Sequence, residues 1–495
     1  MATRTLPTPT QALRTTWRKL RTMRAAIILL LLLAAGAAVG SFLPQRPIQP
    51  TVVGEWIRAN PNWAPIVERL GLFDVYGSWW FMGIYVLILV SLVGCLVPRF
   101  KAFWRVVRAH PRTTASLSAH AWYRTGTVAL DPEAALSGAE RVLRERRFRL
   151  ARANGTLAAE KGHLREGGSL IFHSAFLVLL IGMSVGKLFG HTGQVAVVEG
   201  ERFRDTRIEY DSISEGRFFR GHRGFTLALD DFDVAWYPNG TARDFVSRVR
   251  LSDGDRPVRT EEIRVNEPLS YGGVNVYQLS WGWAPILKVA QHERVLFDGP
   301  TVFLPREGAW VGVVKTPGTE RFEMGLEMLF FTDPRIAEDG TPFNVSNDPV
   351  NPLIVFQQYL GDLGLDRPQS VYTLDKRALA PAEAGAMRMG DVQELPDGIS
   401  IEFTGVRQYS VFQVASNPGA PVLLAAAVLI LVGLIPALYS SRRRVWVRAA
   451  TDGGVARLEI AGQALQRKAA FEEEFGALLR DLDRDLHERI GARDG

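Results

Sequence analysis

Four apolar blocks punctuate the 495-residue chain, at 25–42, 81–97, 167–189 and 421–439. A helix needs about 20 apolar residues to cross a hydrocarbon core about 30 Å thick, and each block is read as one transmembrane α-helix. Between the third and fourth, over 190–420, the pattern changes to short alternating runs such as FTLALDDFDVAWY and SIEFTGVRQY. Period-two alternation broken by turn residues is the mark of antiparallel β structure. The turn signals are Pro238-Asn239-Gly240, Asp253-Gly254, Gly272-Gly273, Asp339-Gly340 and Asp397-Gly398. A sandwich or open barrel is expected there, with Pro-rich excursions around 333–352 and 361–385.

The segment 98–166 reads as a small α/β insert. A strand covers Trp122 to Leu130, Asp131-Pro132-Glu133 starts a helix with an N-cap and a first-turn proline, and Phe148 to Lys161 forms a hairpin turning at Asn154-Gly155. The tail, 440–495, holds a hairpin around Asp452-Gly453-Gly454. A helix follows, with Phe475, Leu478, Leu482, Leu486 and Ile490 at helical spacing, a stripe that needs a partner surface; the insert is the nearest. Residues 1–24 read as an unstructured basic arm. The first block is longer than the 7–15 residues of a signal-peptide core and is read as an uncleaved span, although Ala38-Val39-Gly40 would suit cleavage. The loop 43–80 carries Trp56, Trp63, Trp79 and Trp80, which suit either a membrane interface or ordinary packing. Pro98 is expected to close the second span.

Charge sets the orientation. Residues 1–24 hold six Lys/Arg and no acid, residues 99–165 fourteen against five, and residues 191–420 twenty-three against thirty-three. Basic loops stay inside, so both termini and the insert are placed in the cytoplasm and the 190–420 domain outside. The basic balance therefore gives no reason to expect nucleic acid. The insert's arginines serve either anionic lipid or a solvated helix face. A single cysteine, Cys95, excludes an intramolecular disulfide and a CxxC pair; within a span it reads as a small buried residue.

Between Gly168 and Val185 the only ionisable side chain is His173. Ionisable groups inside a span are costly and mark function by default, and neutral imidazole is a common metal ligand. Its alternative is a hydrogen bond to a neighbouring helix. At 1.5 Å per residue it lies roughly 9 Å beyond Gly167. His163, almost three turns earlier, is expected in the interface, solvated. His191, His222 and His292 are scattered and read as surface residues, and no metal-ligand spacing, nucleophile motif, phosphate loop or dinucleotide fingerprint stands out. SWGWAP at 280–285 either stacks on a flat ligand or packs in the core. GxxxG pairs at Gly36/Gly40, Gly182/Gly186 and Gly186/Gly190 mark close helix contacts, with a partner or within the chain.

Several stretches, in order, resemble the ResB/CcsB family of system II cytochrome c biogenesis proteins: GSFLPQ at 40–45, LGLFDVYGSWWF at 70–81, EKGHLREGGSLIFHSAFLVLLIG at 160–182, LDDFDVAWYPNGTARDFVS at 229–247, IRVNEPLSYGGVNVYQLSWG at 263–282 and VASNPGAPVLLAAAVLILVGL at 414–434. The Arg-rich tail and long outer domain look like the actinobacterial branch. The resemblance implies a bacterial plasma-membrane protein that joins a CcsA/ResC-type partner as one half of a cytochrome c haem lyase, with no catalytic residue of its own. That complex would move haem b outward and support its thioether attachment to the CxxCH of apocytochrome c. A separate thioredoxin-like protein is expected as the thiol reductant. The family's haem-iron ligand in the third span corresponds to His173. The other functional class left open is a non-catalytic membrane anchor whose β-domain binds an extracellular ligand or partner.

Overall fold

A computed structural model describes residues 9–237, 242–306, 308–317, 322–338, 342–366, 370–452 and 455–491. The chain forms two compact units, residues 1–184 with 419–495, and residues 185–418.

The first unit holds the helices α1 (Pro9–Leu20), α2 (Met23–Phe42), α3 (Pro50–Ala59), α4 (Ala64–Arg69), α5 (Trp79–Arg108), α6 (Pro132–Glu145), α7 (Leu164–Phe189, whose last five residues belong to the second unit), α8 (Ala420–Tyr439) and α9 (Lys468–Gly491). Helices α2, α5, α7 and α8 are long and apolar enough to cross a membrane. Two expectations are corrected here. The basic arm is not featureless: α1 forms, and the turn after it docks on α5 through Ser91 Oγ donating to Leu20 O at 2.7 Å and Cys95 Sγ to Arg21 O at 3.0 Å. Nor does the helix of the second span stop at Pro98, since α5 runs on to Arg108. A proline inside a helix leaves the carbonyl four residues earlier without its N–H donor. That carbonyl belongs to Gly94, and the Arg21 guanidinium donates to it at 3.0 Å. The arm thus supplies the hydrogen bond that Pro98 removes.

Small residues let helices approach closely, and α7 crosses α8 at two glycines. A Cβ on Gly168 would sit 2.7 Å from Gly433 O, and one on Gly433 would sit 2.8 Å from Gly168 O. The GxxxG glycines also face the chain's own atoms: Gly36 meets Trp80, Gly40 meets Val75 and Tyr76, Gly182 meets Leu423, Gly186 meets Asn417 and Gly190 meets Ser416. Of the two readings of these pairs, packing within the chain is the one realised. Between α2 and α5, Trp56 packs edge-on against Phe73 at 5.3 Å, whereas Trp79, the first residue of α5, is exposed.

The insert and the tail build one antiparallel sheet, in the order Trp122–Val128, Val455–Ala464, Arg443–Asp452, Thr156–Lys161, Arg149–Ala153. The expected insert hairpin turns at Asn154 and Gly155, both at positive φ. Both strands of the tail hairpin are present; Gly453 and Gly454 lie outside the described residues. Helices α6 and α9 share a core with this sheet, formed by Leu136, Leu143, Val447, Leu458, Phe475, Leu478 and Leu482 among others. The apolar stripe of α9 meets the insert as its spacing requires. Asp131 caps α6, accepting from Ala134 N at 2.9 Å.

The second unit is β-rich and organised on two 18-residue strands, Val274–Gln291 and Ile399–Ser416, paired antiparallel along their length. One half of this pair, extended by His191–Val198, shares a core with the sheet of Phe225–Trp236, Ala242–Asp253 and Arg256–Arg264. The other half shares a second core with the sheet of Ala309–Thr316, Glu323–Phe331, Leu353–Gly361 and Leu379–Arg388. The expected sandwich is therefore two sandwiches on one spine. Part of the second expected excursion is regular strand, Leu379–Arg388. Trp283 is buried in the second core and Trp281 packs against both, so these tryptophans are core residues rather than a stacking platform. The turns at Asp253-Gly254 and Gly272-Gly273 join strands as read, while Pro238-Asn239-Gly240 and Asp339-Gly340 lie outside the described residues.

Candidate functional site

His173 sits in the middle third of α7, half-buried, with its ring edge-on to Phe172 at 5.5 Å. Its Nδ1 lies 2.6 Å from Ser169 O, one turn earlier. A carbonyl only accepts, so this contact places the ring proton on Nδ1. It leaves the Nε2 lone pair unused, and Nε2 has no hydrogen-bond partner among the described residues. The hydrogen bond on one nitrogen sets which form of the ring the other presents. His173 is thus oriented by its own helix, in an otherwise apolar stretch, with Nε2 turned away from that contact. The alternative of a hydrogen bond to a neighbouring helix is not what the ring makes here.

Toward the start of α7 the helix borders a cavity of about 630 Å³. Its apolar lining includes Phe100, Phe103 and Trp104 from α5 and Ile171 from α7, and its polar rim includes Arg147 and Arg149. His163 also lines it. This histidine is not solvated as expected: its Nε2 is buried with no hydrogen-bond partner among the described residues, 3.6 Å from Glu160 Oε2. Burial holds its pKa below the usual imidazole value, against the pull of Glu160. Sequence position placed it at an interface, but the sheet formed with the tail covers it. Glu160 itself accepts from Arg442 and from Arg444. Burial opposes its charge, yet the two guanidinium groups keep its pKa below the usual carboxylate value.

The second unit contains a cluster that spacing did not reveal. His191 and His222, read as scattered, lie together with Asp205, with one ligand-type atom from each of the three within 4.8 Å of the others. His191 and Asp205 are buried rather than at the surface, and His222 is nearly so. Strand pairing produces this, because His191 opens a strand whose neighbour ends at Glu215, the residue opposite. His292, in contrast, is exposed as expected.

Four apolar helices of membrane-crossing length, an α/β unit closed by the chain's tail and a β-sandwich domain define a chain of multi-pass membrane type. The ResB-like family model matches residues 23–476, and the chain belongs to that family. It is similar to the cytochrome c biogenesis protein CcsB of Synechococcus elongatus, with 27% identity over 94% of this chain and 92% of that protein. It resembles the CcsB of Synechococcus sp. strain RCC307 at 28% identity, over 92% and 94% of the two chains. It also resembles the cytochrome c biogenesis protein Ccs1 of Rhodomonas salina at 24%, over 93% and 95%.

Proposed function

We propose that this protein acts in cytochrome c biogenesis as the membrane subunit that receives haem b, together with a CcsA/ResC-type partner, for attachment to apocytochrome c. Family membership and relatives named for cytochrome c biogenesis support the pathway. The observation that carries the haem assignment is His173, whose Nδ1 is engaged by Ser169 O and whose Nε2 is free in an apolar helix. Haem iron takes axial imidazole, and burial tunes it. The second axial ligand belongs to the partner, because no other histidine of the chain lies within an apolar helix. The cavity beside His163 supports entry from the inner side. Its aromatic walls suit the macrocycle, and Arg147 and Arg149 suit the propionates. The protein holds and orients haem; the thioether bonds form on the complex as a whole, with a thioredoxin-like reductant keeping the CxxCH thiols reduced. The chain sits in the bacterial plasma membrane with both termini cytoplasmic and the β-domain outside.

The test is genetic. Deleting the gene should abolish haem-stained c-type cytochromes while leaving apocytochrome detectable, and the wild-type gene should restore them. Normal covalent haem in the deletion strain would refute the pathway assignment.

A further inference from the structure

The residues gathered around His191 have the makings of a site distinct from His173. His191 is held between two strands, opposite Glu215 on one side and Ser416 on the other. It is 4% exposed, and neither ring nitrogen has a hydrogen-bond partner among the described residues. Burying such polar atoms unpaired is costly, which calls for a compensating ligand. The ring lies 4.6 Å from Phe219 and 5.0 Å from the ring of His222. Asp205 is fully buried and oriented by two donors, Tyr210 Oη at 2.6 Å and Arg223 N at 2.8 Å. His222 places Nδ1 2.9 Å from Asp205 Oδ1 and Nε2 3.0 Å from Glu215 Oε1. Both histidines border an open cavity of about 680 Å³, walled by Phe189, Phe218 and Phe219.

We infer that His191, Asp205 and His222 bind one divalent transition-metal ion, of the zinc class, in the β-domain. Two imidazoles and a carboxylate are a common donor set for zinc or for ferrous iron. Ligand atoms on a tetrahedral ion with bonds near 2.1 Å lie about 3.4 Å apart. The present separations, 2.9 Å between His222 Nδ1 and Asp205 Oδ1 and all within 4.8 Å, need only small adjustments. The ion would be held by Asp205 and by His222 Nδ1, the nitrogen that faces Asp205. His222 Nε2–H continues to donate to Glu215, the carboxylate–histidine arrangement that usually backs a metal-bound imidazole. Asp205 and Glu215 together balance two positive charges. The fourth ligand position is left to water or to a group entering from the cavity.

Haem does not fit this donor set. A porphyrin fills four equatorial positions and leaves only two opposite axial ones, whereas three donors crowded within 4.8 Å face one side of an ion.

Full-length protein in detergent, stripped with chelator and dialysed against Zn²⁺ or Co²⁺ alone, tests the inference. Wild type should retain about one ion per chain, with a Co²⁺ ligand-field spectrum showing nitrogen ligands. His191→Phe, which keeps the aromatic packing, and Asp205→Asn should abolish retention. Glu215→Gln should weaken it about tenfold or more. His487→Ala, in the tail, should leave it unchanged, as should His173→Ala, which separates this site from the haem proposal. Circular dichroism and melting of the metal-free variants report folding; should Asp205→Asn misfold, His191→Phe decides. No retained ion in wild type, retention indifferent to His191→Phe, or a haem spectrum lost in His191→Phe would each overturn the inference.

Discussion

His173 was legible from the sequence because an ionisable residue within a span is rare, and a single chain suffices to see it. What the sequence withheld is which nitrogen it offers, since that depends on the Ser169 carbonyl and a helical turn. His163 was misjudged for the opposite reason. Its surroundings join Glu160, three residues earlier, to Arg442, nearly 280 residues later, so no local pattern describes them in full. Asp205 and His222 stand 17 residues apart, just outside the paired strands Arg202–Arg204 and Phe225–Trp236 that bring them near. Two residue-scale outcomes follow. Glu160→Gln leaves Arg444 without its carboxylate and Arg442 with Glu166 alone, and should cost about 1–3 kcal/mol in denaturant unfolding of the detergent-solubilised protein. His163 has a folded pKa depressed by burial, so the unfolded chain binds the proton more readily and stability rises with pH. Its contribution should be complete above the usual imidazole pKa of about 6.5 and fall away as pH drops through the lowered folded value. Melting temperatures from pH 8 to pH 5 should show this loss in wild type and less of it in His163→Asn. Identical profiles would place the titrating group elsewhere. The Glu160 carboxylate, also depressed, loses its contribution at lower pH still.

At the scale of elements, periodicity identified all four apolar helices and the hairpins at Asn154-Gly155 and Asp253-Gly254. The same local logic failed at Pro98. Proline stops a helix when its orphaned carbonyl finds no donor, and here Arg21, 73 residues away, supplies one. Arg21→Ala should therefore loosen α5 below Gly94, seen as faster amide exchange between Gly94 and Arg108; unchanged exchange would mean the helix tolerates Pro98 unaided. The GxxxG pairs were ambiguous because spacing shows that a face is small, not what covers it. The contact that carries the α7–α8 crossing, Gly168 on Gly433, is not a GxxxG pair at all. Gly433→Leu should force the two helices apart and lower accumulation of the protein, measured by immunoblot. Normal accumulation would show that the crossing has room to spare.

For the whole molecule, the tail closes a sheet begun more than 280 residues earlier, since Arg443–Asp452 lies between Thr156–Lys161 and Val455–Ala464. In the proposed topology the two stretches share one side of the membrane, as the Lys/Arg partition also predicts. Alkaline phosphatase fused after residue 300 should be active, and fused after 120 or 460 inactive; activity at 120 would overturn the orientation. The spine of two long strands was not legible, because alternation marks strands without saying which ones pair or how far. The central claim is that the chain carries haem on His173 within a complex, and co-purified haem measures it most directly. The wild-type complex with its CcsA/ResC-type partner should yield a pyridine haemochrome. His173→Ala should accumulate normally, lose that haem, and regain part of it with added imidazole. Wild-type haem content and spectrum in the His173→Ala complex would contradict the account.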